Sequence, residues 1–487
     1  MSSDSTVDRQ EKYQLFVDGE HVDAENNGTF DVNDPATTDV IAEVARGREA
    51  DIEYAVDAAN AALDDWRRTN PKARSETLRD IAVALRANVE TLAQLTTLEN
   101  GKPISEARGE AEGCADAFDF YAGIADKVHG EQIPRGREYV DFTYREPLGV
   151  TAHIAPWNFP LSIFARSVAV ALATGNTAVV KPAEQTPLGA LTIAKIAHEA
   201  GLPDGALNVV TGFGAEAGAP LAGHPNIDCV TFTGSVETGR KVAELAAQQI
   251  TPANLELGGK GPNVVFPDAD MDLALDNAVA GLFTMVSGQC CSAGSRLLVH
   301  EDIYDEFLDN LADRLDALEV GPGSEDPDMG PMIDEGQYEK VKSYLDVGRK
   351  EVGEPFYGGE VLDREGYFIG PTVFAGASND SRLAQEEIFG PILPAISFSD
   401  EQEAIEKAND TEFGLTAGIF TADLNRAHRF ARDVEAGGVY INEWFAEGIE
   451  TPFGGFKKSG IGREKSTEAV KHYTQSKNVC ANIGIGE

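Results

Sequence analysis

The sequence predicts an α/β protein with a doubly wound parallel sheet at its centre, because two patterns alternate along the chain. Short apolar runs rich in β-branched residues, typical of strands buried on both faces, occupy 149–155, 177–181, 207–210, 229–232 and 262–266. Patterns of helical length separate them, at 160–173, 187–200, 214–223 and 236–248. Repeated strand–helix–strand units of this kind pack as a parallel sheet with helices on both faces.

The regions on either side of this core have other patterns. Apolar residues at helical spacing predict two long helices before the sheet, at 51–66 and 76–98, the second ended by Gly101 and Pro103. After the sheet, residues 268–320 are predicted to be helical. Residues 360–450 are predicted to be a mixture of strands and helices, with a strand at 437–442.

Composition narrows the classes of protein to consider. A chain of 487 residues is too long to fold around a single hydrophobic core, so two or three domains are expected. With 81 acidic and 40 basic residues the net charge is −41, which repels nucleic acid and anionic lipid. The acidic residues are dispersed, as on the solvated surfaces of proteins from extreme halophiles. No apolar run is long enough to cross a membrane and no signal peptide is evident, so a cytoplasmic protein is expected.

The cysteines do not indicate a disulfide framework or a metal site. There are five, at positions 114, 229, 290, 291 and 480. A chain this long does not need disulfides for stability, and no His/Cys cluster has metal-ligand spacing. We therefore expect reduced thiols and no bound metal.

Glycine- and proline-containing segments follow four of the predicted strands. They are PWNFP (156–160), KPAEQTP (181–187), TGFG (211–214) and TGSVETG (233–239). The carboxyl ends of parallel strands meet at one edge of a sheet, where ligands bind. TGSVETG turns directly into a helix, so its backbone N–H groups and the helix dipole suit a phosphate. The four segments therefore predict one ligand-binding edge.

Three further segments contain residue types that catalysis requires. Cys290 and Cys291 lie among small and polar residues, where a reactive thiol has access to a ligand, and spacing alone does not choose between them. Glu256 lies in an apolar setting, where the pKa of a general base rises toward neutrality. The amide of Asn158, fixed between two aromatic residues, could donate to an oxyanion.

Together these motifs resemble those of the NAD(P)-dependent aldehyde dehydrogenase superfamily, from about residue 13 to residue 480. The matching segments include PWNFP, FTGSVETG, LELGGK, GQCCSAGSR, EEIFGP and PFGGFKKSGIGRE. The resemblance implies that Cys291, at the fourth place of the Gly-Gln-any-Cys pattern, is the nucleophile, that Glu256 activates a water, and that Asn158 holds the oxyanion. An aldehyde would then be oxidised to a carboxylic acid through a thiohemiacetal and a thioester. Cys290 has no implied role.

The same resemblance implies the cofactor and its contacts. The residues that match cofactor-binding positions are Pro156, Trp157, Lys181, Glu184, Gly214, Gly234, Ser235, Glu387 and Phe389. Glu184 would accept from the ribose hydroxyls and repel a 2′-phosphate, which favours NAD over NADP. Glu256 argues against the branch that transfers the acyl group to coenzyme A.

The substrate is left open by the motifs. Arg166 follows Asn158 by two helical turns and would face the aldehyde, as would Phe159 and Met285. An arginine there could grip the distal carboxylate of succinate semialdehyde or 2,5-dioxopentanoate. A structural ion pair of Arg166, and a broad, aromatic or lactaldehyde-type specificity, are the alternatives. Two non-enzymatic alternatives are a catalytically silent binding protein of the same fold and a thiol redox sensor.

The resemblance also implies the division into domains. An NAD(P)-binding domain would comprise 1–124 and 148–258, and an α/β catalytic domain 259–455. A small β arm, 125–147 with 465–487, would join subunits into a homodimer or homotetramer.

Overall fold

The structure, a computed structural model, describes residues 11–446 and 448–484. The first ten residues of the predicted cofactor domain and the last three of the predicted arm lie outside the described residues. The helices are α1 Glu49–Arg68, α2 Pro71–Ala87, α3 Val89–Asn100, α4 Ile104–Ile124, α5 Pro160–Ala173, α6 Leu188–Glu199, α7 Ala219–Ala222, α8 Val236–Gln248, α9 Met271–Val279, α10 Tyr304–Leu315, α11 Glu335–Glu351, α12 Arg382–Gln385, α13 Glu401–Asn409 and α14 Leu424–Asp433.

The strands form four sheets. They are β1 Glu11–Tyr13, β2 Leu15–Val17, β3 Glu20–Val22, β4 Thr29–Asn33, β5 Val40–Ala45, β6 Gln132–Ile133, β7 Tyr139–Pro147, β8 Val150–Ile154, β9 Thr177–Lys181, β10 Leu207–Val209, β11 Cys229–Thr233, β12 Ala253–Glu256, β13 Pro262–Val265, β14 Arg296–His300, β15 Thr372–Ala375, β16 Ile392–Phe398, β17 Thr416–Phe420, β18 Gly438–Ile441, β19 Gly460–Ile461 and β20 Thr474–Asn482.

The predicted parallel sheet is confirmed. Eight strands lie in the order β19-β12-β11-β8-β9-β10-β2-β3, and the run from β12 to β10 is parallel. The four predicted ligand-binding segments follow β8, β9, β10 and β11, so they share one edge. The run at 262–266 is a strand, as predicted, but β13 belongs to a second sheet, and β12 was missed.

Three of the crossover helices, α5, α6 and α8, begin within one residue of where the sequence predicts, whereas α4 was not predicted. Ser235 caps α8 by accepting from the N–H of Thr238 at 3.2 Å. All but Ser162 of the fourteen residues in α5 are buried, because this helix packs between the sheet and α2, α4 and α6. The single helix predicted at 76–98 is wrong: α2 ends at Ala87 and α3 starts at Val89, with Asn88 non-helical between them. Gly101 ends α3 with a φ of 87°.

The second sheet is parallel throughout, in the order β15-β16-β14-β13-β17-β18. Its central strand β14 lies inside 268–320, which was predicted to be helical. That prediction was wrong because β14 has only three consecutive apolar residues, 297–299, between α9 and α10, and so short a run has no helical or strand periodicity of its own. The strand predicted at 437–442 is confirmed as β18.

A third, antiparallel sheet joins two distant parts of the chain. The strand order is β20-β7-β6, and β20 pairs with β7 over nine residue pairs. These strands fall within the two ranges predicted for the arm, while the division into domains stays a prediction. Within the described residues, no helix is long and apolar enough to cross a membrane, and no cluster of three His, Cys, Asp or Glu side chains could hold a metal ion.

Candidate active site

The cysteine segment, residues 283–296, has an unusual backbone that is fixed by its neighbours. Val286, Ser287 and Gly288 are consecutive left-handed residues, with φ of 45°, 53° and 80°. A Cβ on Gly288 would lie 2.6 Å from the carbonyl of Gly390, so only glycine permits this close approach. Gln289 is fully buried, accepts from Ile333 N at 2.9 Å and donates to two carbonyl oxygens. The geometry of the segment is thus set by the hydrogen bonds of Gln289 and by the close approach of Gly288 to Gly390.

Cys291 lies between two cavities and lines both. The first, of about 370 Å³, is lined by Phe159, Arg166 and Met285 among others, so the three residues predicted to face the aldehyde lie together. The second, of about 190 Å³, is lined by residues from the ligand-binding edge of the first sheet. A single thiol is therefore accessible from both sides, as a group that meets two ligands must be.

The two adjacent thiols share a hydrogen bond, and this affects their ionisation. The hydrogen bond with Cys290, together with burial, raises the pKa of the Cys291 thiol well above its usual value, and the positive charge of Arg166 lowers it. Cys290 is buried, lines only the first cavity and lies 3.4 Å from the hydroxyl of Ser292. Cys291 is the more exposed thiol and is neutral near pH 7 until a proton acceptor or a positive charge comes near.

Asn158 is held against the cysteine segment. Its side-chain amide donates to the carbonyl of Gln289 at 3.0 Å, and it lines the second cavity together with Cys291. Its own carbonyl accepts from Lys102 Nζ at 2.9 Å, and the carbonyl of Trp157 accepts from Asn100 at 2.9 Å. The amide is therefore fixed beside Cys291, which is where a donor to an oxyanion on that residue would have to lie.

A buried charge cluster supports this arrangement, and the sequence analysis missed it. The Lys102 cluster consists of Lys102, Glu106 and Glu110, four residues apart and beginning just before α4. Lys102 Nζ lies 2.6 Å from Glu110 and 3.9 Å from Glu106. Glu110 accepts from the N–H groups of Leu161 and Ser162 at the start of α5, at 2.9 and 3.0 Å.

The third member of the Lys102 cluster contacts the cysteine segment itself. Glu106 accepts from Val286 N at 3.2 Å, and burial raises its pKa to about 7. One lysine thus connects the turn that contains Asn158 with the segment that contains Cys291. The spacing of four residues was visible in the sequence, but it is equally typical of an exposed helix face.

Glu256, the predicted general base, is buried at the end of β12 and lines neither cavity. Neither carboxylate oxygen has a hydrogen-bond partner among the described residues. Burial first, and then the negative charge of Glu464, raise the pKa of Glu256 well above its usual range. A Cβ on Gly454 would lie 2.8 Å from this carboxylate, so the glycine leaves space beside it. The side chain is chemically suited to a base but must reorient to reach a substrate.

Arg166 forms a buried ion pair as well as lining the first cavity. Its guanidinium pairs with Glu464, and both side chains are almost fully buried, at 9% and 1% exposure. The guanidinium also lies 5.1 Å from the ring of Phe453 and 3.5 Å from the hydroxyl of Thr233. The structural ion pair that the sequence analysis left open is therefore present, and Glu464 is a site residue that it missed.

Most of the predicted cofactor residues line the second cavity. They are Pro156, Trp157, Gly234, Ser235, Glu387 and Phe389. Glu387 accepts from Gly259 N through one oxygen at 2.9 Å, and no donor among the described residues is bonded to the other. The start of α8 presents backbone N–H groups beside it. A carboxylate for hydroxyl groups and a helix N-terminus for phosphate together fit a dinucleotide.

Lys181, Glu184 and Gly214 lie apart from that cavity but at the same edge of the sheet. Lys181 ends β9 beside Ile154 of β8, and its ammonium pairs with Glu184 at 3.1 Å. Gly214 starts a helical turn whose last residue, Gly218, is next to the Lys181 side chain. Burial lowers the pKa of Lys181. Lys340 and Gln337 of α11, which the sequence analysis did not select, line the second cavity instead.

The fold and the site combine an accessible cysteine with a sheet edge suited to a dinucleotide, and comparison with known proteins identifies the family of the chain. Residues 21–479 match the aldehyde dehydrogenase family. The chain is 45% identical over 472 residues to hydroxyisobutyraldehyde dehydrogenase of Mycolicibacterium austroafricanum, covering 96% of this chain and 94% of that one.

Solved structures agree. The NAD+ complex of an aldehyde dehydrogenase from Bacillus cereus superposes with a TM-score of 0.95 at 40% identity, covering 97% of both chains. An NAD-dependent aldehyde dehydrogenase from Sinorhizobium meliloti gives a TM-score of 0.97 at 40% identity, covering 100% of this chain and 98% of the other. The chain belongs to the aldehyde dehydrogenase family and is an oxidoreductase.

Proposed function

We propose that this enzyme oxidises an uncharged aldehyde to a carboxylic acid with NAD as the acceptor. The observation that supports this most directly is the position of Cys291, which lines both a mainly apolar cavity and a cavity suited to a dinucleotide. A nucleophile between the two can form a covalent adduct with an aldehyde on one side, next to an electron acceptor on the other.

The chain's own groups account for the covalent steps. The Cys291 thiol loses its proton to water, and the thiolate sulfur then forms a bond to the aldehyde carbon while the carbonyl π electrons move to oxygen. The Asn158 side chain and the Cys291 N–H donate to that oxyanion in a site from which water is largely excluded. Bound NAD would supply the hydride acceptor for the oxidation of this adduct to a thioester. Covalent attachment keeps the acyl group in place until water attacks.

Glu256 completes the cycle by taking a proton from the water that hydrolyses the thioester. A carboxyl group whose pKa is raised by burial is suited to accept a proton near neutral pH. Because its carboxylate lines neither cavity, the side chain must rotate away from the position that Gly454 accommodates and toward Cys291. The C–S bond then breaks, the Cys291 thiolate leaves, Glu256 returns its proton to solvent, and the carboxylic acid is released.

NAD is the proposed cofactor, with NADP as a weaker alternative. Glu184 would accept from the ribose hydroxyls and repel a 2′-phosphate. Its ion pair with Lys181 uses one carboxylate oxygen, so the other oxygen can still accept from a ribose hydroxyl. Glu387 and the start of α8 are the groups that would hold the nicotinamide ribose and the pyrophosphate.

The substrate is proposed to be uncharged because Arg166 is already paired. The charge of its guanidinium is neutralised by Glu464, so little remains to bind a distal carboxylate. Among the other lining residues, Phe159, Met285 and Phe453 favour an apolar or hydroxylated aldehyde. The cavity is also lined by one further cation, Lys465, and by two carboxylates, Asp116 and Glu450, which would repel a carboxylate substrate. An ω-carboxylate semialdehyde is the second candidate, since Arg166 does line this cavity.

Assembly through the small antiparallel sheet is part of the proposal. Strand β20 is the edge of that sheet, and its outer backbone groups are available to pair with a second copy. A homodimer or homotetramer built in this way would enclose the edge strand.

NADH formation tests the proposed function. A panel of uncharged and ω-carboxylate aldehydes is assayed with NAD and NADP, in high salt. We expect turnover with uncharged aldehydes, a higher kcat/KM with NAD, and complete loss in Cys291→Ala. Cys290→Ala is the matched control and should retain most of the activity. Activity that survives in Cys291→Ala and disappears in Cys290→Ala would contradict the assignment of the nucleophile.

A further inference from the structure

A basic cavity lies at the base of the small antiparallel sheet, away from the active site. Its volume is about 600 Å³, and it is enclosed by the end of α1, the start of α2 and parts of β7 and β20. Its basic lining residues are Arg67, Arg68, Arg74, Arg145 and Lys477. No residue of this cavity lines either of the two active-site cavities.

Few carboxylates balance these cations. Lys477 pairs with Glu146 at 2.5 Å. Arg67 and Arg68 share a single carboxylate, Asp64, at 2.5 and 3.3 Å. Five cations against two carboxylates leave a local net charge of +3. In a chain whose net charge is −41, such an excess is unexpected on composition alone.

Arg74 is the buried member of this group. It is 7% exposed, and the hydrogen bonds of its guanidinium go only to the carbonyl oxygens of Ala173, Arg67 and Thr69. Those bonds use Nε and Nη1. No acceptor for Nη2, and no carboxylate at ion-pairing distance, is found among the described residues. Burial lowers the pKa of Arg74, as expected of a cation that lacks an anionic partner.

The remaining cation, Arg145, and the adjacent helix α2 add to the positive electrostatic potential in the cavity. Arg145 is exposed and has no carboxylate partner among the described residues. The start of α2 at Pro71 faces the cavity, so the positive end of a helix of 17 residues contributes as well. Buried charge normally has a partner, and here the partner is not provided by the residues around it.

We propose that the basic cavity binds a multivalent oxyanion of the phosphate or polycarboxylate class. Its volume is in the range of small-molecule sites and exceeds what one phosphate fills, so the anionic group would be part of a larger metabolite. The strongly negative surface repels anions elsewhere, which makes this cavity selective. A multivalent anion is favoured over chloride because several arginine side chains can bind it at once.

Calorimetric titration of the whole enzyme tests this proposal. Inorganic phosphate and citrate are titrated separately into enzyme saturated with NAD, so that the cofactor site cannot take up the anion. We expect saturable binding of one anion per chain. Binding of phosphate alone would indicate a phosphate-bearing ligand, and binding of citrate alone a polycarboxylate. Absence of saturable binding with both would overturn the proposal.

Variants assign any binding to the cavity. Arg68→Gln with Arg145→Gln removes two exposed charges, and Asp64 keeps Arg67 as its partner. We expect at least tenfold weaker anion binding and unchanged turnover. Lys350→Gln with Arg240→Gln removes two exposed charges elsewhere and should bind as the wild type does. Equal binding by both double variants would overturn the assignment.

Sedimentation of the same variants distinguishes a ligand site from a contact between subunits. If the Arg68→Gln, Arg145→Gln variant dissociates and the wild type binds neither anion, the cavity accommodates a second copy of the chain, and the proposal is wrong. We expect the assembly of the variant to be unchanged.

Discussion

Removal of the Arg166 charge tests the buried ion pair at the centre of the active site. Both partners are almost fully buried, and breaking a buried pair by removing one partner costs about 3–5 kcal/mol. Coulomb attraction of about 4 kcal/mol at roughly 4 Å and an effective dielectric constant of about 20 is of the same size. We therefore expect Arg166→Met and Glu464→Gln each to lower the free energy of unfolding by about 3 kcal/mol.

The double variant identifies the cause. When both charges are removed, neither is left buried without a partner, so the combined loss should fall short of the sum of the single losses by at least about 2 kcal/mol. Urea unfolding in high salt, followed by tryptophan fluorescence, provides the free energies of unfolding of the wild type, the two single variants and the double variant. Additive losses would refute the interpretation that these two side chains stabilise each other.

Kinetics of the Arg166→Met variant distinguish a structural ion pair from a carboxylate-binding role for Arg166. Because the guanidinium is committed to Glu464, Arg166→Met should change KM for an uncharged and an ω-carboxylate aldehyde by similar factors. The positive charge of Arg166 lowers the pKa of both Cys291 and Glu256. Its loss should move the rising limb of the pH profile of kcat/KM to higher pH, since the thiolate is the attacking form. A KM increase of tenfold or more for the carboxylate substrate alone would favour the second candidate.

Three other outcomes are expected. Lys102→Met leaves two buried carboxylates unpaired, so we expect unfolding experiments to show a loss of about 3 kcal/mol in stability. Initial rates should show a lower kcat with little change in the KM for NAD. A normal kcat would argue against the idea that Lys102 positions Asn158. Glu256→Gln should still release one equivalent of NADH rapidly and then stop, as seen by stopped-flow absorbance; normal steady turnover would remove Glu256 from the hydrolytic step. The melting temperature should rise as KCl is raised from about 0.1 to about 1 M. The Debye length then falls from ~10 to ~3 Å, so salt screens the repulsion within a chain of net charge −41. A melting temperature that falls with salt would contradict the halophile-like interpretation.

The sequence predicted the first sheet well because its strands and crossover helices differ in length and in residue type. Strands of β-branched residues alternate with helices that begin at recognisable caps, such as Ser235 before α8. The motif spacing also selected Cys291, which the structure places between the two cavities. Strand β14 could not be predicted in this way, because a short apolar run between two helices carries no periodicity.

Contacts between distant segments could not be predicted from the pattern of residues in the sequence. The Lys102 cluster has the spacing of an exposed charged stripe, and only its packing against the Asn158 turn shows it to be buried. Glu464 lies in a recognised late motif, but its partner Arg166 is almost three hundred residues earlier in the chain. The buried, inward position of Glu256 likewise depends on Gly454 and could not be read from the segment around it.

The covalent intermediate provides the most direct test of the mechanism. Glu256→Gln enzyme is mixed with NAD and an uncharged aldehyde, quenched in acid within a second, digested and sequenced by tandem mass spectrometry. We predict an acyl mass on Cys291, in nearly stoichiometric amount, and none on Cys290. An acyl group on Cys290, or no acyl-enzyme while NADH forms, would contradict the proposal that Cys291 is the nucleophile between the two cavities.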